Sequence, residues 1–142
     1  MFADLSGKVA LVTGGGQGLG LGIVLKLAGQ GADIAIGDLS EENAAAASKQ
    51  VEALGRKAYV AKMNVTDKDM ITAAVEKFNS EAGQIDILVN NAGARVIKGF
   101  LEHTKEDWDT MLGINLSGPF FCSQAIAPKM IASGGGSIIN VC

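Results

Sequence analysis

The chain has 142 residues, 48% of them hydrophobic, and its 19 glycines suit one compact domain rich in tight turns. A formal net charge of −3 without a basic cluster argues against a nucleic-acid partner, and no stretch approaches the ~20 apolar residues of a membrane span. Two cysteines, Cys122 and Cys142, give no disulfide framework, and Asp4 stands too early for a signal peptide, so a cytoplasmic setting is expected.

The first apolar run, Val9-Ala10-Leu11-Val12, predicts a strand beginning near Lys8. It leads straight into Thr13-Gly14-Gly15-Gly16-Gln17-Gly18-Leu19-Gly20. A strand that turns through glycines into a helix brings bare N–H groups and the positive end of the helix dipole to one point, which suits a pyrophosphate. The spacing is T-G-x-x-x-G-x-G, with glycines at 14, 18 and 20, rather than G-x-G-x-x-G. An ordinary tight βα turn would also use such glycines. The helix that follows places Gly20, Ile23, Val24, Leu27 and Ala28 on one face and stops at Gly31.

The second strand begins near Asp33 and ends in Ile36-Gly37-Asp38-Leu39-Ser40. Asp38 lies 18 residues past Gly20, near the ~20-residue offset at which an acid meets an adenosine ribose. A carboxylate there accepts from both ribose hydroxyls and repels a 2′-phosphate. Its other possible role is to cap the next helix, although Ser40 fills that position better. Gln17 is neutral where a phosphate-reading site would use Arg or Lys, so NAD is expected in preference to NADP.

A helix through Ala44-Ala45-Ala46-Ala47 stops at Gly55, and a third strand starts near Ala58 and leads to Asn64-Val65. Thr66 reads as the N-cap of a helix with Ile71, Ala74, Val75 and Phe78 on one face, ending at Gly83. The fourth strand, from about Ile85, leads through Ile87-Leu88-Val89 to Asn90-Asn91-Ala92-Gly93. Thr104 reads as the next N-cap, and one long helix is expected from about Asp107 to Ala132, with Trp108 packed against its neighbours. On that helix Asn115 interrupts an apolar face of Met111, Ile114, Gly118 and Cys122, where a buried amide would need partners. Cys122 reads as a buried packing residue, and a fifth strand begins at Ser137.

Strands that are apolar throughout need helices on both faces. Repeated βα units of this kind predict a Rossmann-type, doubly wound parallel sheet in three α/β/α layers, truncated after the fifth strand.

Three segments now carry a resemblance. Thr13-Gly14-(three residues)-Gly18-Leu19-Gly20, Asn90-Asn91-Ala92-Gly93 and Ile114-Asn115-Leu116 resemble, in order and spacing, the short-chain dehydrogenase/reductase family, from about Lys8 to Cys142. The resemblance implies hydride transfer between a nicotinamide cofactor and a small alcohol or ketone. It implies cofactor contacts along Gly14, Gly16, Gln17, Gly18, Leu19 and Gly20, and at Asp38 with Leu39. Asn91, Ala92 and Gly93 would pack under the cofactor, with Gly93 leaving room for a ribose. Asn64-Val65 is similar to an Asp-Val pair that meets adenine, the Asn64 amide oxygen accepting from the adenine amino group. Asn115 would hold a water of the proton relay and is the one member of the catalytic set present.

The chain also departs from that pattern. No Tyr-x-x-x-Lys occurs: the only tyrosine, Tyr59, lies in the third strand with Lys62 three residues on and Met63 at the fourth. The family's serine would be expected just after Cys142. These residues therefore read as the N-terminal part of a longer single-domain enzyme, inactive alone, or else as a non-catalytic dinucleotide-binding fragment. His103 reads as a solvated residue beside a helix start, no second His stands at metal-ligand spacing, and no metal site is expected. Arg95 and Lys98 read as solvated loop charges or as residues that a substrate could approach. The long helix resembles one through which family members dimerise, so a homo-oligomer, dimer or tetramer, is expected.

Overall fold

Strands without a polar face must be covered on both sides, and the chain achieves this by laying its first two helices on one face of a single sheet and the later ones on the other. A computed structural model describes residues 3–142. The strands are β1 (Val9–Thr13), β2 (Asp33–Asp38), β3 (Ala58–Lys62), β4 (Ile87–Asn90) and β5 (Ser137–Asn140). Between them run α1 (Gly18–Gly29), α2 (Glu41–Ala53), α3 (Lys68–Ala82), α4 (Lys105–Leu112) and α5 (Gly118–Ala132). A single 3₁₀ turn, Phe100–Glu102, precedes α4, and a π turn, Gly113–Ser117, joins α4 to α5.

The sheet order is β3-β2-β1-β4-β5, with every pair parallel. The first three strands step outward in one direction and the last two in the other, so the winding reverses between β1 and β4. A crevice opens at the carboxyl ends of the strands where that reversal occurs.

Alternation along β1 sends Leu11 into one core and Ala10 and Val12 into the other. Leu11, Ala35 and Leu88 pack under α3 and α5 through Ile71, Val75, Phe78, Cys122 and Ile126. On the opposite face Val12, Ile34, Ile36 and Val89 meet Val24 and Ala28 of α1 and Ala44, Ala47 and Val51 of α2. Burial pushes the Cys122 thiol up to about 12, as expected for an inert packing residue. The amino ends of three strands are tied by Asp86, whose Oδ2 accepts from the Val9 N–H at 2.9 Å while its carbonyl accepts from the Ser137 N–H at 2.9 Å.

Helix ends follow the expected chemistry with one exception. Gly31, Gly55 and Gly83 follow or form the C-caps of α1, α2 and α3 with positive φ, and Ser40 and Thr104 cap α2 and α4 through their hydroxyl oxygens. The exception is α3, which is capped by Asp67 instead of Thr66: its carboxylate accepts from the Asp69 and Met70 N–H groups at 3.0 Å. Thr66 is turned back onto Asn64.

Three further expectations are corrected. Strand β4 begins at Ile87, with Ile85 buried in the approach to it. The long helix does run without a break from Lys105 to Ala132, with the π turn inside it, but Trp108 is 59% exposed instead of packed. Asn115 lies in that π turn and is exposed, not buried.

Phe78 is the largest fully buried side chain and stands between α3 and the sheet. Phe78→Ala is expected to lower the unfolding free energy by about 3–5 kcal/mol, read from urea denaturation. A loss below about 1 kcal/mol would contradict this packing.

Candidate functional site

Strand β1 ends at Thr13, and that residue joins the two halves of the sheet. Its Oγ1 accepts from the backbone N–H groups of Asn91 at 3.1 Å and Ala92 at 3.0 Å, and donates weakly to the Val89 carbonyl at 3.5 Å. Asn91 returns the contact: its Nδ2 donates to the carbonyls of Thr13 at 3.0 Å and Gly14 at 3.1 Å. Five hydrogen bonds, one of them weak, thus close the gap between the ends of β1 and β4.

The glycines let α1 sit against this latch. A Cβ on Gly20 would lie 2.0 Å from the Gly14 carbonyl oxygen and 2.5 Å from Asn91 Nδ2. Gly14, at φ 63°, donates its N–H to the Gly37 carbonyl at 2.7 Å. Gly18, at φ 54°, has open space where a Cβ would be. The start of α1 carries no side-chain cap from Gln17 and no acid in its first turn. Its first N–H groups therefore offer an anion both hydrogen bonds and the favourable end of the helix dipole.

Asp38 is 7% exposed and its carboxylate is fixed at both oxygens. Oδ2 accepts from the Gly16 N–H at 2.8 Å and Oδ1 from the Ser40 N–H at 2.9 Å. Gly16 lines no part of the cleft but sets this geometry, because a Cβ there would come within 2.8 Å of Asp38 Oδ2 and of Asn43 Cβ. Asp38 therefore does touch the start of α2, while Ser40 supplies the cap, accepting from the Asn43 N–H at 3.2 Å. Each Asp38 oxygen keeps a lone pair for a ligand. Gln17 Oε1 accepts from Asn43 Nδ2 at 3.3 Å, which draws the neutral side chain toward α2.

Further out, Met63, Asn64 and Val65 form the wall at the end of β3. Asn64 Oδ1 accepts from the Thr66 N–H at 3.0 Å and from Thr66 Oγ1 at 2.8 Å. Both lone pairs are then in use, which corrects the expectation that this oxygen would accept from an adenine amino group.

At the other end, Asn115 pairs with the loop after β4. Its Oδ1 accepts from the Ala94 N–H at 3.0 Å and its Nδ2 donates to the Ala94 carbonyl at 2.7 Å. Gly93 lies beneath this pair, a Cβ there falling 3.1 Å from Asn115 Oδ1. The π turn widens the backbone and presents Asn115 to this loop, and such turns gather at functional sites.

Together these parts enclose an open cleft of about 520 Å³ along the carboxyl ends of the strands, within the usual range for a ligand site. Gly14, Gln17, Leu19, Gly20, Asp38, Leu39, Asn64, Val65, Asn91, Ala92 and Gly93 all line it, as do Ile114 of the third motif and Met63 and Ala94, which the sequence did not assign to a site. Gly18 and Asn115 are not among its lining residues. Thr13 was visible only as part of a motif; a hydroxyl at the last residue of a fully buried strand was the signal for its role.

Other candidates fall elsewhere. Tyr59 sits in β3 opposite Ala35, half-buried against the core. Lys98 is bound to Asp107 at 2.6 Å, and this ion pair together with the Thr104 N–H holds the Asp107 carboxyl down at about 2. His103 Nδ1 lies 4.0 Å from the same carboxylate, away from the cleft. Among the described residues no group of three His, Cys, Asp or Glu could hold a metal ion.

A crevice at the switch point of a parallel sheet, with an open helix N-terminus and a fixed acid at the end of β2, defines a Rossmann-type nucleotide fold. The family model for short chain dehydrogenase matches residues 8–142, and the chain belongs to that family of oxidoreductases. It is 42% identical over 137 residues to a 3-oxoacyl-[acyl-carrier-protein] reductase, FabG, of Thermotoga maritima, covering 96% of this chain and 56% of that protein. It is 45% identical over 136 residues to the L-2,3-butanediol dehydrogenase of Corynebacterium glutamicum, covering 94% and 53%. The solved structure of an NAD+-bound xylitol dehydrogenase superimposes with a TM-score of 0.93 at 33% identity, covering 96% of this chain and 53% of that one. The chain thus spans about half the length of these relatives. No helix among the described residues is long and apolar enough to cross a membrane.

Two glycines of α1 separate packing from propensity. Gly22 has open space around a Cβ, so Gly22→Ala is expected to be neutral or to stabilise by up to about 1 kcal/mol. Gly20→Ala is expected to cost about 1–3 kcal/mol, because the latch must shift to admit the methyl group. Equal effects of the two substitutions in thermal unfolding would contradict the close approach of α1 to Gly14 and Asn91.

Proposed function

We propose that residues 1–142 form the N-terminal, nucleotide-binding part of a longer single-domain dehydrogenase or reductase, which moves a hydride between a nicotinamide cofactor and a small alcohol or ketone. NAD is the preferred cofactor. The observation that carries this reading is Asp38, whose carboxylate is buried and held by the N–H groups of Gly16 and Ser40 where the cleft passes the end of β2. Two ribose hydroxyls can donate to it. A 2′-phosphate there would place like charges a few ångströms apart, at a cost of up to about 4 kcal/mol in a partly dry site.

The residues present fit a dinucleotide at each stage. The open N-terminus of α1 takes the pyrophosphate, Asp38 the adenosine ribose, and the wall at Asn64 and Val65 the base. Ala92 and Gly93 lie under the inner ribose, and Asn115 keeps their loop in place through Ala94. The cofactor, when bound, supplies or accepts the hydride. An alkoxide left by ketone reduction needs a proton donor and a hydrogen-bond donor aimed at its oxygen. Asn115 holds the loop at Ala94 on the cleft wall, and the donor itself, in this reading, comes from residues after Cys142 that follow the family's serine and Tyr-x-x-x-Lys pattern.

A second reading, a dinucleotide-binding fragment without catalysis, is favoured by one observation. Among the described residues the one acid lining the cleft is Asp38, at the end of β2, and the chain's one tyrosine is fixed in β3. The apolar residues Trp108, Leu112, Leu116 and Phe120, spaced four apart and exposed along α4, the π turn and α5, support a homo-oligomer.

Fluorescence titration of the complete protein is expected to show NADH binding at least about tenfold more tightly than NADPH. Asp38→Ala combined with Gln17→Arg should narrow or invert that ratio. Tighter binding of NADPH by the unmodified protein would overturn the assignment.

A further inference from the structure

Asn64 decides more than its place on the cleft wall suggests, because its amide is fixed in one sense. The backbone N–H of Thr66 can only donate, so the atom it meets at 3.0 Å is Oδ1, and Thr66 Oγ1 donates to the same oxygen at 2.8 Å. The Asn64 carbonyl also accepts from the Asp67 N–H at 3.0 Å, so the turn that holds this side chain is itself closed. What Asn64 has left for a ligand is Nδ2, two donors without a protein partner among the described residues.

The cleft runs from the start of α1 past Asp38 to the end of β3, so a base attached to a ribose at Asp38 meets the wall of Met63, Asn64 and Val65. Purine bases differ on the edge they turn to such a wall. Adenine carries an amino group at C6, which donates, beside N1, which accepts. Hypoxanthine carries an oxygen at C6, which accepts, beside an N1–H. An aspartate at position 64 could keep one oxygen on the Thr66 N–H and turn the other to the adenine amino group, so it would select adenine. Asn64 offers only donors, which pair with N1 of adenine or with the C6 oxygen of hypoxanthine.

We infer that the base subsite does not select adenine by its amino group, that it takes a hypoxanthine dinucleotide as readily, and that Asn64 is the residue that sets this tolerance. The inference rests on the dinucleotide reading of the cleft given above. It names a second cofactor class for that site and a residue that determines specificity without acting in the chemistry.

The test compares NADH with reduced nicotinamide hypoxanthine dinucleotide by fluorescence and calorimetric titration of the complete protein. The two Kd values are expected to agree within about threefold, since each base finds one donor partner in Asn64. Asn64→Asp, which preserves the bond to the Thr66 N–H, is expected to create a preference for NADH of about tenfold or more. An unmodified protein that already prefers NADH by about tenfold, or an Asn64→Asp variant with an unchanged ratio, would overturn the inference while leaving the dinucleotide site intact. Binding of neither compound would overturn the proposed function and this inference with it.

Discussion

The structure depends on the latch between Thr13 and Asn91. Strands β1 and β4 are neighbours in the sheet but belong to halves of the winding that run in opposite directions, so no turn of the chain joins their carboxyl ends. Left open, that end would expose the carbonyls of Thr13 and Gly14 in a crevice. Asn91 meets both with Nδ2, and Thr13 Oγ1 takes the two N–H groups of Asn91 and Ala92. Every member is a donor or acceptor that burial obliges to find a partner, and each finds it across the gap. The consequence is a rigid floor. Gly14 cannot drift, Gly20 can approach it, and the first turn of α1 points its N–H groups at one place.

The same logic extends outward with less rigidity. Asp38 is a buried carboxylate placed by two backbone N–H groups from different elements, the glycine loop and the start of α2. Burying a charge without such partners would cost several kcal/mol. With them, the acid is aimed before any ligand arrives, and binding need not spend energy orienting it. The loop after β4 is held by a pair of bonds from Asn115 at the surface. Farther along, the bond from Lys98 to Asp107 ties that loop to the start of α4. Tethers of this exposed kind are individually weak. The cleft therefore passes from a fixed floor at the start of α1 to a softer rim beside Ala94 and Asn115.

Periodicity and punctuation made the fold legible. Strands apolar on both faces, helices ended by Gly31, Gly55 and Gly83, and glycines packed against an apolar strand left few arrangements other than a doubly wound sheet. Asp38 was visible from spacing alone. The misreadings share a cause, which is competition between short polar side chains for the same backbone groups. Thr66 and Asp67 are both good caps; the carboxylate took the two N–H groups of α3, and the hydroxyl was left to bond Asn64. That bond then removed the Asn64 oxygen from the cleft. Asn115 was read onto a regular helix of 3.6 residues per turn, whereas the π turn shifts the phase and turns Asn115 to Ala94.

If the latch builds the nucleotide site, weakening it must weaken binding before it unfolds the domain. The direct measurement is NADH affinity by calorimetry for Asn91→Ala in the complete protein, with circular dichroism to report the fold. Removing Nδ2 deletes the bonds to the Thr13 and Gly14 carbonyls and leaves the backbone bonds to Thr13 Oγ1 in place. Loss of two hydrogen bonds at about 0.5–1.5 kcal/mol each lowers the stability of the latch, and because the latch aims the first turn of α1, the account predicts a folded protein with NADH affinity reduced at least about fivefold. A folded variant that binds NADH as tightly as the parent would contradict the account.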